Sequence, residues 1–245
     1  MDRDKPGRSV IILTSGLAGS SVLAALLARA GYWPGDETFR KKDYNTWENL
    51  ELVQLNKKLL EQVGYTKDYG MEFNPDDAKF VTERSLSVDP TPYQEFVVRC
   101  QRKRPWLWKD PRLLLTMNVW ARYLDPASVD FVLMSREPLQ AWISQTLRRQ
   151  IQPFGDCEKY LAETRRFLAE SVHRLDKPLL DLTYEALLVR PEQTLAAING
   201  HLSLNLTLAD LQHVFHGELW RRGHNLPDFA KACAIYLKNY RQRYR

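Results

Sequence analysis

SVIILTSGLAGSSVLAALLARAG, Ser9 to Gly31, is the stretch from which the rest of the chain is read. Ser9 to Leu13 ends in four consecutive aliphatic residues, the pattern of a strand buried on both faces. A turn of small residues follows, with Gly16 and Gly19. From Ser20 to Ala30 the residues Val22, Leu23, Leu26 and Leu27 fall on one face of a helix, and Gly31 is a natural stop. Strand, glycine-serine turn, helix is how a phosphate-binding loop is built. Glycines allow close backbone approach, first-turn N–H groups lack intrahelical partners, and the helix N-terminus favours an anion. A tight strand-to-helix turn with Ser20 as N-cap fits the same residues. The loop holds neither lysine nor arginine, so any positive charge for an anion has to come from another part of the chain.

Working outward, the pattern recurs. Pro105 to Lys109 is strand-like and is followed by DPR and a helix from Leu113 to Leu124. Val129 to Ser135 is a clear buried strand, followed by REP and a helix from Leu139 to Ile151. Ahead of these, helices are expected over Trp47–Val63 and Pro92–Lys103, with a short strand near Lys79–Glu83. Beyond them come a helix from Asp156 to Arg174, a strand over Pro178–Leu182 and a helix over Pro191–Leu202. Strands alternating with helices predict an α/β fold, a central parallel sheet with helices on both faces. One domain spanning residues 1–245 is the simplest organisation, with 32–105 as an insertion in it.

Composition narrows the function classes. The chain has 245 residues, 44% hydrophobic, enough for a full core. A net charge of +5 fits an anionic ligand but is too small to indicate nucleic acid. The three cysteines, Cys100, Cys157 and Cys233, are far apart and without metal spacing, as expected of reduced thiols in the cytoplasm. No apolar run reaches membrane-spanning length, and the N-terminus leaves no room for a signal peptide before the first strand. Nothing in the sequence sets an oligomeric state.

Charge for the loop is available at the neighbouring strand ends, where ligands collect in a parallel sheet. WKDPR supplies Lys109 and Arg112. Arg112 lies in the first turn of a helix, where the macrodipole disfavours a cation unless an anion is near. Asp110 before Pro111 reads first as a helix cap. After the next strand, Arg136 sits at the strand end, and Ser144 lies beside a buried stripe of Leu139, Trp142, Ile143, Thr146 and Leu147. A guanidinium and a hydroxyl so placed can grip one phosphate. The ATP motif G-x-x-x-x-G-K-[ST] is not met, since Ser20 stands where its lysine belongs and Thr14 where its first glycine belongs.

Several motifs in order resemble the sulfotransferases that use 3′-phosphoadenylyl sulfate (PAPS). Arg136, Pro138 and Ser144 match their R-x-P-x-x-x-x-x-S motif for the 3′-phosphate. TSGLAGSS is similar to their 5′-phosphosulfate loop, with Gly19, Ser20 and Ser21 at its G-T-S part. YNTWENLELVQLNKKLL resembles their N-x-x-G-x-x-E segment, with Glu48 at the glutamate. WKDPR resembles their K-D-P-R turn, and LDLTYEALLVRPEQTL, with Tyr184 and Glu185, their YE-x-L segment. Arg222 and Gly223 in RRGHNLP echo the late loop that closes on the nucleotide. One departure stands out: the family's loop cation aligns with Leu17.

The resemblance implies a P-loop NTPase-like sulfotransferase fold. It implies PAPS as co-substrate, adenosine 3′,5′-diphosphate (PAP) as product and no metal. The acceptor would be a hydroxyl or amine of a small molecule, a saccharide or a lipid-linked glycan, its pocket built by residues 32–105. Nucleotide binding falls to Gly16, Leu17, Ala18, Gly19, Ser20, Ser21, Arg112, Arg136, Ser144, Arg222 and Gly223, and the chemistry to Glu48, Lys109 and Asp110. Glu48 is the first choice of base and Asp110 the second. Glu48 also fits a surface position on its helix. Tyr184 fits a structural role in which its phenol bonds a neighbouring segment. Two other functions stay open: a small-molecule kinase of related fold, and a non-catalytic PAP-binding protein that has lost the loop cation.

Overall fold

The structure, a computed structural model, describes residues 7–42, 44–215 and 226–243. In chain order it runs β1 (Ser9–Leu13), α1 (Ser20–Arg29), β2 (Thr38–Arg40), β3 (Asn45–Asn49), α2 (Leu50–Gln62), α3 (Pro75–Arg84), α4 (Thr91–Arg102), β4 (Leu107–Lys109) and α5 (Leu113–Trp120). Then come β5 (Val129–Ser135), α6 (Pro138–Leu147), α7 (Phe154–His173), β6 (Leu179–Thr183), α8 (Tyr184–Val189), α9 (Pro191–Leu202), α10 (Leu208–Val214) and α11 (Leu226–Arg243).

The main sheet has the order β4-β1-β5-β6, with every pairing parallel. The strands read as continuous apolar runs because both faces are covered. Alternation sends Ile11 and Leu13 to one face, where they join Trp108, Phe131 and Leu133 in a core closed by α2 to α5 and α7. Val10 and Ile12 go to the other face with Leu107, Val132 and Met134, against α1, α9 and α10. The chain leaves β1 for one neighbour and then crosses to the other. The carboxyl ends of β1, β4 and β5 thus meet at a topological switch point, where open α/β sheets bind ligands.

Three expectations about local structure are corrected. Lys79–Glu83 is helical, within α3. Its start carries Asn74 as N-cap in a capping box with Asp77 and Pro75 in the first turn, and these signals outweigh a short alternation of apolar residues. The helix expected from Trp47 begins at Leu50, because Asn49 caps it by accepting from the N–H groups of Glu51 at 3.0 Å and Leu52 at 3.2 Å. Asn45–Asn49 instead pairs antiparallel with Thr38–Arg40. Glu48 is therefore a strand residue, only 8% exposed, and not a surface residue of a helix. On α6, Leu139 is 41% exposed and leaves the buried stripe, which Trp142, Ile143 and Thr146 hold.

Candidate active site

After β1 the chain curls through left-handed φ at Gly16, Leu17 and Gly19. Gly19 is required here twice over. Its φ is +70°, and a Cβ would come within 2.0 Å of the Tyr184 ring. Gly19, not Ser20, is the N-cap of α1, and no side chain caps that helix and no acidic residue sits in its first turn. Among the described residues, the backbone N–H groups of Leu17, Ala18 and Gly19 have no protein acceptor. Together with the first-turn amides of Ser20 and Ser21, they form the donor array of an anion site.

A cation reaches the loop from β4. Lys109, 3% exposed, donates to Ser21 Oγ at 3.2 Å, to the Thr46 carbonyl at 3.0 Å and to Glu48 Oε1 at 2.8 Å. One ammonium thus joins the phosphate loop to the β2–β3 hairpin. Thr46 and Glu48 face the cleft from the same side of β3. Trp47 between them, held at φ +59°, packs toward the α1 side of the core. Trp47 therefore has a packing role.

Two other residues of WKDPR turn away from the cleft. Asp110 is fully buried. It accepts from Asn56 Nδ2 at 2.8 Å, from the Arg112 backbone at 3.0 Å and from Arg112 Nη1 at 2.8 Å. Arg112 lies over the Tyr69 ring, 5.9 Å from its centroid. Burial alone would pull the Arg112 guanidinium below its ordinary pKa, but the Asp110 carboxylate, with Tyr69 and Glu48 behind it, holds it above. Neither Asp110 nor Arg112 lines the cleft.

At the end of β5, Arg136 is arranged differently. Its Nη1 donates to the Leu17 carbonyl at 3.2 Å, its Nε makes a long 3.4 Å contact with Glu185, and its head lies 5.5 Å from the Tyr184 ring centroid. Here burial wins over Glu185, and the guanidinium is held below its ordinary pKa. Glu185 also accepts from the Glu137 N–H at 3.0 Å, while burial pushes its carboxyl up. Tyr184 does structural work through its ring, packed under Gly19 and Arg136, and not through its phenol.

Gly16, Leu17, Ala18, Gly19, Ser20, Ser21, Lys109, Glu48, Arg136 and Ser144 all line one cleft of about 330 Å³, at the lower end of the range for small-molecule sites. Arg222 and Gly223 lie outside the described residues. Further residues line the wall: Lys41, Tyr44, Asp68, Tyr69 and Gly70, from the stretch expected to build the acceptor pocket, and Gln145, Arg148 and Gln150, which the sequence did not single out. Gln150 Oε1 is buried without a hydrogen-bond partner, the state of an acceptor facing a ligand donor. The Tyr160 hydroxyl reaches the carbonyls of Tyr69 at 2.9 Å and Ser15 at 3.3 Å, tying the far wall to the loop. Gln145, Arg148, Gln150 and Tyr160 belong to no local motif that would have marked them in the sequence.

The sulfotransferase family model matches residues 10–208 of the chain. A search of curated proteins finds no match. Among solved structures, the sulfotransferase domain from the Synechococcus PCC 7002 olefin synthase superposes with a TM-score of 0.53 at 19% identity, covering 94% of this chain and 85% of that one. The sulfotransferase domain from the curacin biosynthetic pathway also scores 0.53, at 15% identity, covering 88% of this chain and 80% of that one. At such identities the structural likeness is one of fold.

Proposed function

The chain belongs to the sulfotransferase family, and from that premise we propose that it moves a sulfuryl group from PAPS to a hydroxyl or amine of a small-molecule, saccharide or lipid-linked glycan acceptor. The observation that carries this reading is the meeting, in one cleft, of an uncapped phosphate loop, the Arg136–Ser144 pair and the buried Lys109–Glu48 pair. The loop amides and hydroxyls fit the 5′-phosphate, and Arg136 with Ser144 fits the 3′-phosphate. The hairpin carrying Glu48, with Tyr44 and the 68–70 wall, fits the acceptor side, and residues 32–105 as a whole build it.

PAPS supplies a sulfur activated by its phosphate leaving group. Glu48 takes the proton of the acceptor hydroxyl or amine as the acceptor atom bonds to sulfur and the bond from sulfur to the bridging phosphate oxygen breaks. Lys109 and the loop amides meet the charge that gathers on that oxygen. The two roles are linked. Protonated Glu48 no longer holds Lys109 as an anion, so the ammonium is released toward the leaving phosphate as the base is used up. Asp110, buried and fully engaged, keeps a structural role, and so does Arg112. The unpaired cysteines accord with a cytoplasmic setting.

Leu17 in the loop favours a second reading, a protein that binds PAP without transferring sulfate. Calorimetry with PAP tests nucleotide recognition, and transfer of radiolabelled sulfate from PAPS to a panel of hydroxylated acceptors separates enzyme from binding protein. Binding of ATP with magnesium in preference to PAP would sink both and point to a kinase.

A further inference from the structure

The cleft holds another guanidinium. Arg148 caps the C-terminal end of α6, its backbone N–H bonding back to the Gln145 carbonyl at 2.9 Å. It follows Ser144 by four residues, one helical turn on, and so shares its face of the helix. Both side chains line the cleft together with Arg136. Arg148 is exposed, and no ion pair joins it to any described residue.

The charge count makes this position significant. Arg136 brings one positive charge and Glu185, in contact at 3.4 Å, brings one negative charge. That pair is neutral, so among the described residues of this corner the net positive charge resides on Arg148. The two guanidiniums also oppose each other. Repulsion from Arg148 adds, behind burial, to what holds Arg136 below its ordinary proton affinity. A terminal phosphate carries close to two negative charges at neutral pH. A neutral Arg136–Glu185 pair and one hydroxyl match it poorly, whereas the same set with a further guanidinium on its open side matches it well.

We propose that Arg148 is a second cationic ligand of the ribose 3′-phosphate, joining Arg136 and Ser144 and making the site selective for nucleotides that carry that group. The assignment rests on the PAP reading above. Its test is calorimetry of wild type, Arg148→Gln and Arg148→Lys with PAP and with AMP, which lacks the 3′-phosphate. Arg148→Gln should weaken PAP about tenfold or more, the size of a lost charge-assisted hydrogen bond, and leave AMP within about twofold. Arg148→Lys should keep most of the PAP affinity. Unchanged PAP binding, or an equal loss for PAP and AMP, overturns the assignment. A lowered melting temperature with PAP affinity intact does so too, by showing a helix cap and nothing more. If Arg136→Ala removes the preference for PAP over AMP and Arg148→Gln does not, only Arg148 is misassigned. If wild type shows no such preference, the nucleotide reading falls with it.

Discussion

The ends of β4 and β5 are built alike: a buried strand, a basic residue at its carboxyl end, a proline and a helix. Their arginines nevertheless end in opposite electrostatic states. Arg112 is matched by a fully buried carboxylate 2.8 Å away and sits above its ordinary pKa. Among the described residues Arg136 has a long contact to Glu185, a backbone carbonyl and the face of the Tyr184 ring, and sits below it. A cation at a strand end is therefore not in itself a ligand site. What distinguishes one is a cation that borders open space and holds its counter-charge only at the limit of contact. By that measure Arg112 is built into the scaffold, and Arg136 is the one we propose for the ligand. Lys109 stands between them, paired with Glu48 yet in contact with the loop.

The sharpest way to break this contrast is at Glu48. Glu48→Gln preserves shape and a hydrogen bond to Lys109 but removes the base, so turnover should fall on the order of 10²- to 10⁴-fold with PAP affinity within about twofold. Retention of wild-type turnover in sulfate-transfer assays would remove Glu48 from the chemistry.

Next in size, Arg112→Ala strips the cation from a buried carboxylate and should cost about 3 kcal/mol of stability in urea melts, while PAP affinity stays within about twofold. A variant that folded normally and lost PAP would reverse the scaffold assignment. Arg136→Ala should do the opposite, weakening PAP by about 1.5–3 kcal/mol in calorimetry with a smaller change in the melt. If the two arginine variants give the same profile, the comparison itself fails.

The smallest effect concerns the thiols. Burial pushes Cys100 up to about 12 and Cys157 up to about 11, while Cys233 is partly exposed. The thiolate is the reactive form, so iodoacetamide at pH 8 should label Cys233 and spare the other two. Labelling of Cys157 should grow only as the pH approaches that raised value. Peptide mapping by mass spectrometry reads this directly, and early labelling of Cys100 or Cys157 would mean that the core around them opens.

Much of this was legible beforehand. Runs such as Val129–Ser135 and the helix over Pro191–Leu202 announce themselves, because burial on two faces and a proline-led amphipathic helix each leave a local period. The hairpin around Glu48 was not legible. Its strands are three and five residues long and polar, and the helical period of α2 extends visually back through Trp47. Only the Asn49 cap marks the true boundary. Within the site, the eight-residue interval from Arg136 to Ser144 could be read because a turn and a helix relate those residues locally. Arg148 was overlooked although it continues the same helical face, for want of a motif to single it out.

The sequence by itself determined the parallel α/β architecture, the glycine loop and the set of cations near it, since these follow from periodicity, backbone permissiveness and residue type over short stretches. Tertiary structure alone decided which partners each cation meets. Lys109 meets Glu48 across 61 positions, and Arg136 reaches the Leu17 carbonyl across 119. The effect of a charge depends on the distance and burial of its counter-charge, and chain folding sets both through space, beyond the reach of any local pattern.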